Sequence, residues 1–140
     1  MISAKYAQAF ARYNRWQNAS LMAAADQLTE AQRQHNAGAF FGSILGTLSH
    51  ILWGDSAWMN RLTSTPFPPP PIDESGRLWS DWSAYKHARA AMDERIIQWA
   101  QSVDVSFFKN DLTYITAKGI QVTKPIDLIV MHIFNHQTHH

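Results

Sequence analysis

The sequence predicts an all-α protein, a four-helix bundle with a small β-hairpin insert between helices three and four. Three observations predict it. Apolar residues recur at three- and four-residue steps over four long stretches. Proline, glycine and polar clusters separate those stretches. One segment between the third and fourth changes to strand-prone residues around turn signals. Four helices with long connections pack most economically as a bundle. The 140 residues, 46% hydrophobic and 16% charged, are read as a single domain over residues 1–140, with enough chain for its own core.

The first helix is expected from about Ser3 to Leu28, with Tyr6, Phe10, Tyr13, Trp16, Leu21 and Ala24 as its apolar positions. Thr29-Glu30-Ala31-Gln32 has the spacing of a capping box, so a short helical turn follows. Arg33 to Gly38 is polar and reads as a loop. The second helix is expected from about Phe40 to Leu62, with Ile44, Leu48, Ile51, Leu52, Met59 and Leu62 on one side. Asp55 falls within that apolar stripe, where a carboxylate is rare. Gly38, Gly42 and Gly46 lie four apart, read as close packing in a soluble bundle rather than membrane pairing.

The run Thr65 to Pro71 carries five prolines and ends the second helix. It reads as a stiff connection; an SH3-type ligand is the other use of such a run. The third helix spans about Arg77 to Ser102, with Leu78, Trp82, Tyr85, Ala88, Met92, Ile96 and Trp99 near helical spacing. From Asp104 to Val122 the period changes. Val105, Phe107, Leu112, Tyr114, Ile115, Ile120 and Val122 surround Asn110-Asp111 and Lys118-Gly119, which predicts a short hairpin. Thr123, or Lys124 ahead of Pro125, is the expected N-cap of a last helix from Ile126 to His140. The amphipathic pattern is still running at His140, so further native residues are expected after it.

Composition excludes several classes of function. Lys plus Arg is 12 and Asp plus Glu is 11, a net charge of +1, without the clustered cations that nucleic-acid binding needs. There is no cysteine, so disulfides, thiolate zinc sites and cysteine nucleophiles are absent together. Any metal must be held by nitrogen and oxygen. No run of about 20 apolar residues suggests a membrane span, and the first residues lack a signal-peptide pattern. The expected compartment is the cytoplasm. No Gly-x-Ser-x-Gly elbow, Gly-x-Gly-x-x-Gly loop or Walker loop occurs. The tryptophans Trp16, Trp53, Trp58, Trp79, Trp82 and Trp99 read as core rather than as the walls of an aromatic pocket.

The histidines carry the remaining signal. Four of seven lie in the last nine residues: His132, His136, His139 and His140. His136 and His140 are four apart, so on a helix their imidazoles can converge on one ion. His132 and His136 share that spacing. On the helical wheel Ile126, Ile129, Val130, Ile133 and Phe134 define the buried side, and His136 and His140 flank it. The alternative is a solvated, histidine-rich helix end. A third ligand must come from another helix. His35 lies in a polar loop and His87 on a helix rich in Ala and Arg. His50 lies mid-helix beside Gly46, Gly54 and Ala57, small residues that leave room at an imidazole. A structural histidine hydrogen-bonded within the bundle accounts for His50 equally well.

These residues resemble a known family. Tyr13-Asn14-Arg15-Trp16-Gln17-Asn18 is similar to the Tyr-Asn-x-Trp-x-Asn signature of the DinB (damage-inducible) family. His50-Ile51-Leu52-Trp53-Gly54-Asp55, with Trp58 and Arg61, resembles that family's second-helix motif. Met131 to His140 resembles its third motif, without the Arg-Gly-Gln that usually follows. The resemblance implies a metal triad of His50, His136 and His140, with no ligand role for His132 or His139. It implies a four-helix bundle like those of DinB and YfiT proteins, usually paired as homodimers.

What the resemblance implies about function is a divalent metal ion, whether zinc, nickel or iron, since imidazole accepts all three. Three histidines leave a coordination position open for water or substrate. The expected function is that of a metal-dependent enzyme activating a thiol or water, of thiol S-transferase or hydrolase type. Its partner would be a small-molecule substrate such as a low-molecular-weight thiol. The rival is a non-catalytic metal-binding stress-response protein. Asp55 is expected to accept a hydrogen bond from behind a ligand, or to pair with Arg15 or Arg61.

Overall fold

The computed structural model describes residues 2–65 and 70–140. Its chain is mostly helical, with one two-stranded antiparallel hairpin. The helices are α1 (Ala4–Asp26), α2 (Glu30–Gln34), α3 (Ile44–Leu62), α4 (Trp82–Ser102) and α5 (Ile126–His139). Short 3-10 segments at Ile72–Arg77 and Phe107–Lys109 punctuate the connections. Strands β1 (Asp111–Ile115) and β2 (Gln121–Pro125) pair with Asp111 opposite Pro125 and Ile115 opposite Gln121. No helix among the described residues is long and apolar enough to cross a membrane.

Local chemistry sets most of the boundaries. Ser3, Thr29, Ser43 and Asp81 each accept a backbone N–H at the start of a helix, satisfying donors that have no partner within it. Thr29 and Gln32 complete the expected capping box. The caps at Ser43 and Asp81 start α3 and α4 a few residues later than apolar periodicity alone suggests. At α5 neither Thr123 nor Lys124 is the cap. Both lie in β2, and Pro125 takes the N-cap position directly as the strand ends. The expected stiff connection in the proline run falls largely on residues 66–69, outside the described residues.

Gly38 and Gly42 do not pack helices. They sit in the loop before α3 with φ of 78° and 81°, a region that favours glycine. Only Gly46 lies on the helix. A Cβ there would come within 2.2 Å of the Phe41 carbonyl oxygen, so this glycine lets the preceding loop fold back onto α3.

α4 packs against α1 and α3, and α5 also packs against both. Met59, Ile96, Trp99, Val130, Ile133 and Phe134 form the larger apolar cluster. Leu45, Leu48, Leu52 and Tyr85 form a smaller one between α3 and α4. α1 inverts the expectation. Its buried residues are Ala7, Ala11, Asn14, Asn18 and Ala25, while Phe10, Tyr13, Trp16 and Leu21 face outward, Trp16 being 64% exposed. Small side chains let α1 approach closely, and one of its two inward asparagines, Asn18, meets a polar feature in the interior.

That feature is Arg89, fully buried on α4. Its guanidinium lies 2.8 Å from Asp55 Oδ2 and 2.8 Å from Asp93 Oδ1. Asn18 Nδ2 donates to Asp93 Oδ1 at 2.9 Å and to Gln137 Oε1 at 3.2 Å. Gln137 Nε2 donates to Asp55 Oδ2 at 2.6 Å, closing the circuit through α1, α3, α4 and α5. Asp55 therefore pairs with neither Arg15 nor Arg61. Arg15 pairs with Glu94 at the surface, and Arg61 lies against aromatic rings. Two buried carboxylates share one guanidinium, so burial pushes both upward in pKa against the opposing pull of Arg89. Removing Arg89 would leave two carboxylates facing each other in the interior. Arg89→Ala is expected to lower the unfolding free energy by about 3–5 kcal/mol, read from urea denaturation. A loss below about 1 kcal/mol would show that the network bears little of the fold's stability.

Candidate metal centre

His50 leaves the middle of α3 fully buried, and His136 and His140 leave the last turns of α5. One ring nitrogen of each lies within 4.8 Å of one from each of the others. Nε2 of His50 and Nε2 of His136 are 3.3 Å apart. Ring centroids are separated by 4.6 to 5.1 Å around the group. The close approach depends on Gly54. A Cβ at that position would stand 3.0 Å from His136 Cε1. Any larger residue one turn after His50 would push the His136 ring away.

The environment of His50 fixes its proton. Its Nδ1 lies 2.9 Å from Ser75 Oγ, in the 3-10 turn at Ile72–Arg77. The Ser75 hydroxyl has a single hydrogen and donates it to the Ile72 carbonyl. It must therefore accept from His50, which places the imidazole proton on Nδ1 and leaves the Nε2 lone pair facing the other histidines. Ser49 holds the turn in place by donating to the Ser75 carbonyl at 2.7 Å. Phe41 stacks on one side of the His50 ring at 3.7 Å between centroids, and Trp53 stacks at 5.5 Å. The ring is clamped in plane and in tautomer.

This donor set fits a divalent ion. Two nitrogens each about 2.0–2.1 Å from a tetrahedral ion stand about 3.3 Å apart, the separation found between His50 and His136. The set is neutral imidazole, with no carboxylate in the group. Burial lowers the pKa of His50 to about 4 and of His136 to about 3, with the neighbouring His140 adding to both. Protons therefore do not compete for these nitrogens near neutrality.

His132 and His139 are outside the three-nitrogen group. His132 packs its ring against Trp58 and stands 5.5 Å from His136, while His139 is exposed beside His140. His35 and His87 are exposed and remote, His87 donating to the Ser83 carbonyl on its own helix. A cavity of about 420 Å³ opens beside the triad, with Trp53, Trp58, Arg61 and Tyr114 in its wall. The tryptophans thus divide: Trp99 is core, Trp16 is surface, and Trp53 and Trp58 line this pocket. Sequence reasoning missed Ser75, Phe41 and Tyr114, which come from irregular segments or the hairpin. It also missed Arg89 and Gln137, although Asp55 on an apolar stripe signalled that a buried cation had to face it.

The depressed imidazole values have a consequence for stability. His50 and His136 stay neutral in the fold and gain protons on unfolding below the ordinary value of 6.5. Their contribution is complete above pH 6.5 and is lost as pH falls towards 4. The metal-free protein is expected to lose more of its urea midpoint between about pH 7 and about pH 4.5 than His136→Leu does. Parallel pH profiles for the two proteins would contradict this assignment.

No curated protein and no solved structure matches the chain. The model of the DinB family does match, over residues 1–140, a span that takes in the first-helix signature, the His50 segment and the terminal histidine run together; the chain therefore belongs to the DinB family.

Proposed function

We propose that His50, His136 and His140 bind one divalent metal ion, and that the protein is a metal-dependent enzyme acting on a small molecule in the adjoining cavity. The observation that carries this reading is the convergence of three imidazole nitrogens within 4.8 Å at the wall of that cavity. Three protein ligands leave a coordination position free, as in catalytic rather than closed structural sites. An ion bound there lowers the pKa of a thiol or water that reaches it, so that a nucleophile forms near neutral pH. Thiol S-transfer or hydrolysis is the reaction type proposed, with zinc, nickel or iron as the ion.

The chain's own groups have defined parts in this reading. Ser75 keeps the His50 lone pair directed at the site. Phe41 and Trp53 stack on the His50 ring and shield it from water. Gln137, adjacent to His136, anchors α5 to Asp55 and so holds two ligands against the third.

The assembly belongs to the same reading. The mutual packing of α1, α3, α4 and α5 supports a four-helix bundle. The outward row Phe10, Tyr13, Trp16 and Leu21 supports pairing as a homodimer.

The test is cobalt substitution. The wild-type protein is expected to take up one cobalt per chain with a visible spectrum that small thiols or azide perturb. His50→Ala is expected to lose tight binding, because two ligands from one helix end make a weak site. Unchanged stoichiometry in that variant would sink the triad. A spectrum blind to every added ligand would replace the enzyme with a metal-binding protein that has no turnover.

A further inference from the structure

Arg61 is the one Lys or Arg in the wall of the cavity beside the triad, among the described residues. It packs against a pair of touching rings, its guanidinium carbon 4.7 Å from the centroid of Trp58 and 4.7 Å from that of Tyr114, with the two centroids 5.2 Å apart. Tyr114 comes from β1, so the hairpin completes the clamp. Both rings lie to one side of the guanidinium and leave N–H donors on its other side uncovered by them. One of those donors reaches the Ile115 carbonyl at 3.3 Å. No carboxylate among the described residues lies within ion-pair distance, although the group is half-buried. Burial already lowers its pKa. A half-desolvated cation held rigidly at a cavity wall with no anion beside it is a site for an anion from outside.

The remaining wall decides which anion. Trp53, Trp58 and Tyr114 offer aromatic surface, and the cavity holds no second Lys or Arg to balance a dianion. A carboxylate matches one planar guanidinium edge, whereas a phosphate dianion would be left half neutralised. Position sets the length. Gly54, against which His136 packs, precedes Arg61 by seven residues, or about 10 Å along α3.

We propose that this cavity binds a small, elongated organic carboxylate with an apolar or aromatic body, its carboxylate on Arg61 and its far end at the histidine triad. The placing of the far end rests on the metal reading above; the carboxylate clamp does not.

The test uses metal-free protein at about pH 8 and calorimetric titration with 3-phenylpropionate and its uncharged counterpart, 3-phenylpropanamide. The acid is expected to bind at least about tenfold more tightly than the amide, the difference a charge-assisted hydrogen bond makes. Arg61→Gln is expected to abolish that preference, and Arg61→Lys to keep part of it, since a lysine retains the charge but not the planar edge. Equal binding of acid and amide by the wild type, a preference that survives Arg61→Gln, or no binding of either compound at millimolar concentration would each overturn the proposal. Cobalt titration of the same proteins separates the two readings. Arg61→Gln keeps the cobalt spectrum if only the clamp is lost. A wild type that prefers the acid but never binds cobalt keeps the clamp and loses the metal.

Discussion

The buried guanidinium of Arg89 is the constraint on which the rest of the structure depends. A cation at zero exposure is tolerated only with anions around it, and here those anions and the donors that hold them draw on four helices. Asp55 and Asp93 supply the charge, and Gln137 and Asn18 donate to the same carboxylate oxygens that face Arg89. An apolar core tolerates small slides of one helix along another. A circuit of ion pairs and amide hydrogen bonds at 2.6 to 3.2 Å restricts such slides. The network therefore sets the rotation and register of α5 against α3.

That registry connects stability to chemistry. His136 and Gln137 are neighbours on α5 and point about 100° apart. With Gln137 committed to Asp55, His136 has to face α3 at Gly54, and His140, one turn later, follows it. On the other side His50 precedes Asp55 by five residues on the same helix, so the ion pair and the imidazole share one rigid element. Ser75 then settles the tautomer from outside the helices. The three nitrogens meet because separate polar contacts position each helix, and the pocket forms where the hairpin closes against Trp58 and Arg61.

Much of this was legible in the sequence, for physical reasons that differ by element. The long helices follow from periodicity, and the histidine pair on α5 from four-residue spacing, both properties of local geometry. The hairpin followed from strand-prone residues around Lys118-Gly119, and Gly119 does take a positive φ of 76° at its turn. The face of α1 was not legible. Its aromatic residues have helical spacing, yet the inward face is alanine and asparagine: Ala7 and Ala11 meet the apolar cluster and Asn18 meets the Arg89 network. A helical wheel ranks residues by hydrophobicity and cannot see that a neighbouring helix carries an arginine. Arg89 carried no signal of its own, because charge on a helix ordinarily faces solvent. Asp55 was the exception that pointed inward, and its partner lay on a helix that sequence distance does not link to it. The loop glycines misled in the same way: a four-residue repeat is meaningful only inside a helix, and Ser43 caps α3 after Gly42.

The central claim is that three imidazoles from two helices hold one ion with a position left open. X-ray absorption at the metal edge of the zinc-loaded protein tests it most directly, because it counts and identifies the atoms around the ion. The account predicts three imidazole nitrogens at about 2.0–2.1 Å, with one further light atom completing the shell. A shell of oxygen atoms alone, or one with fewer than two imidazoles, would contradict it.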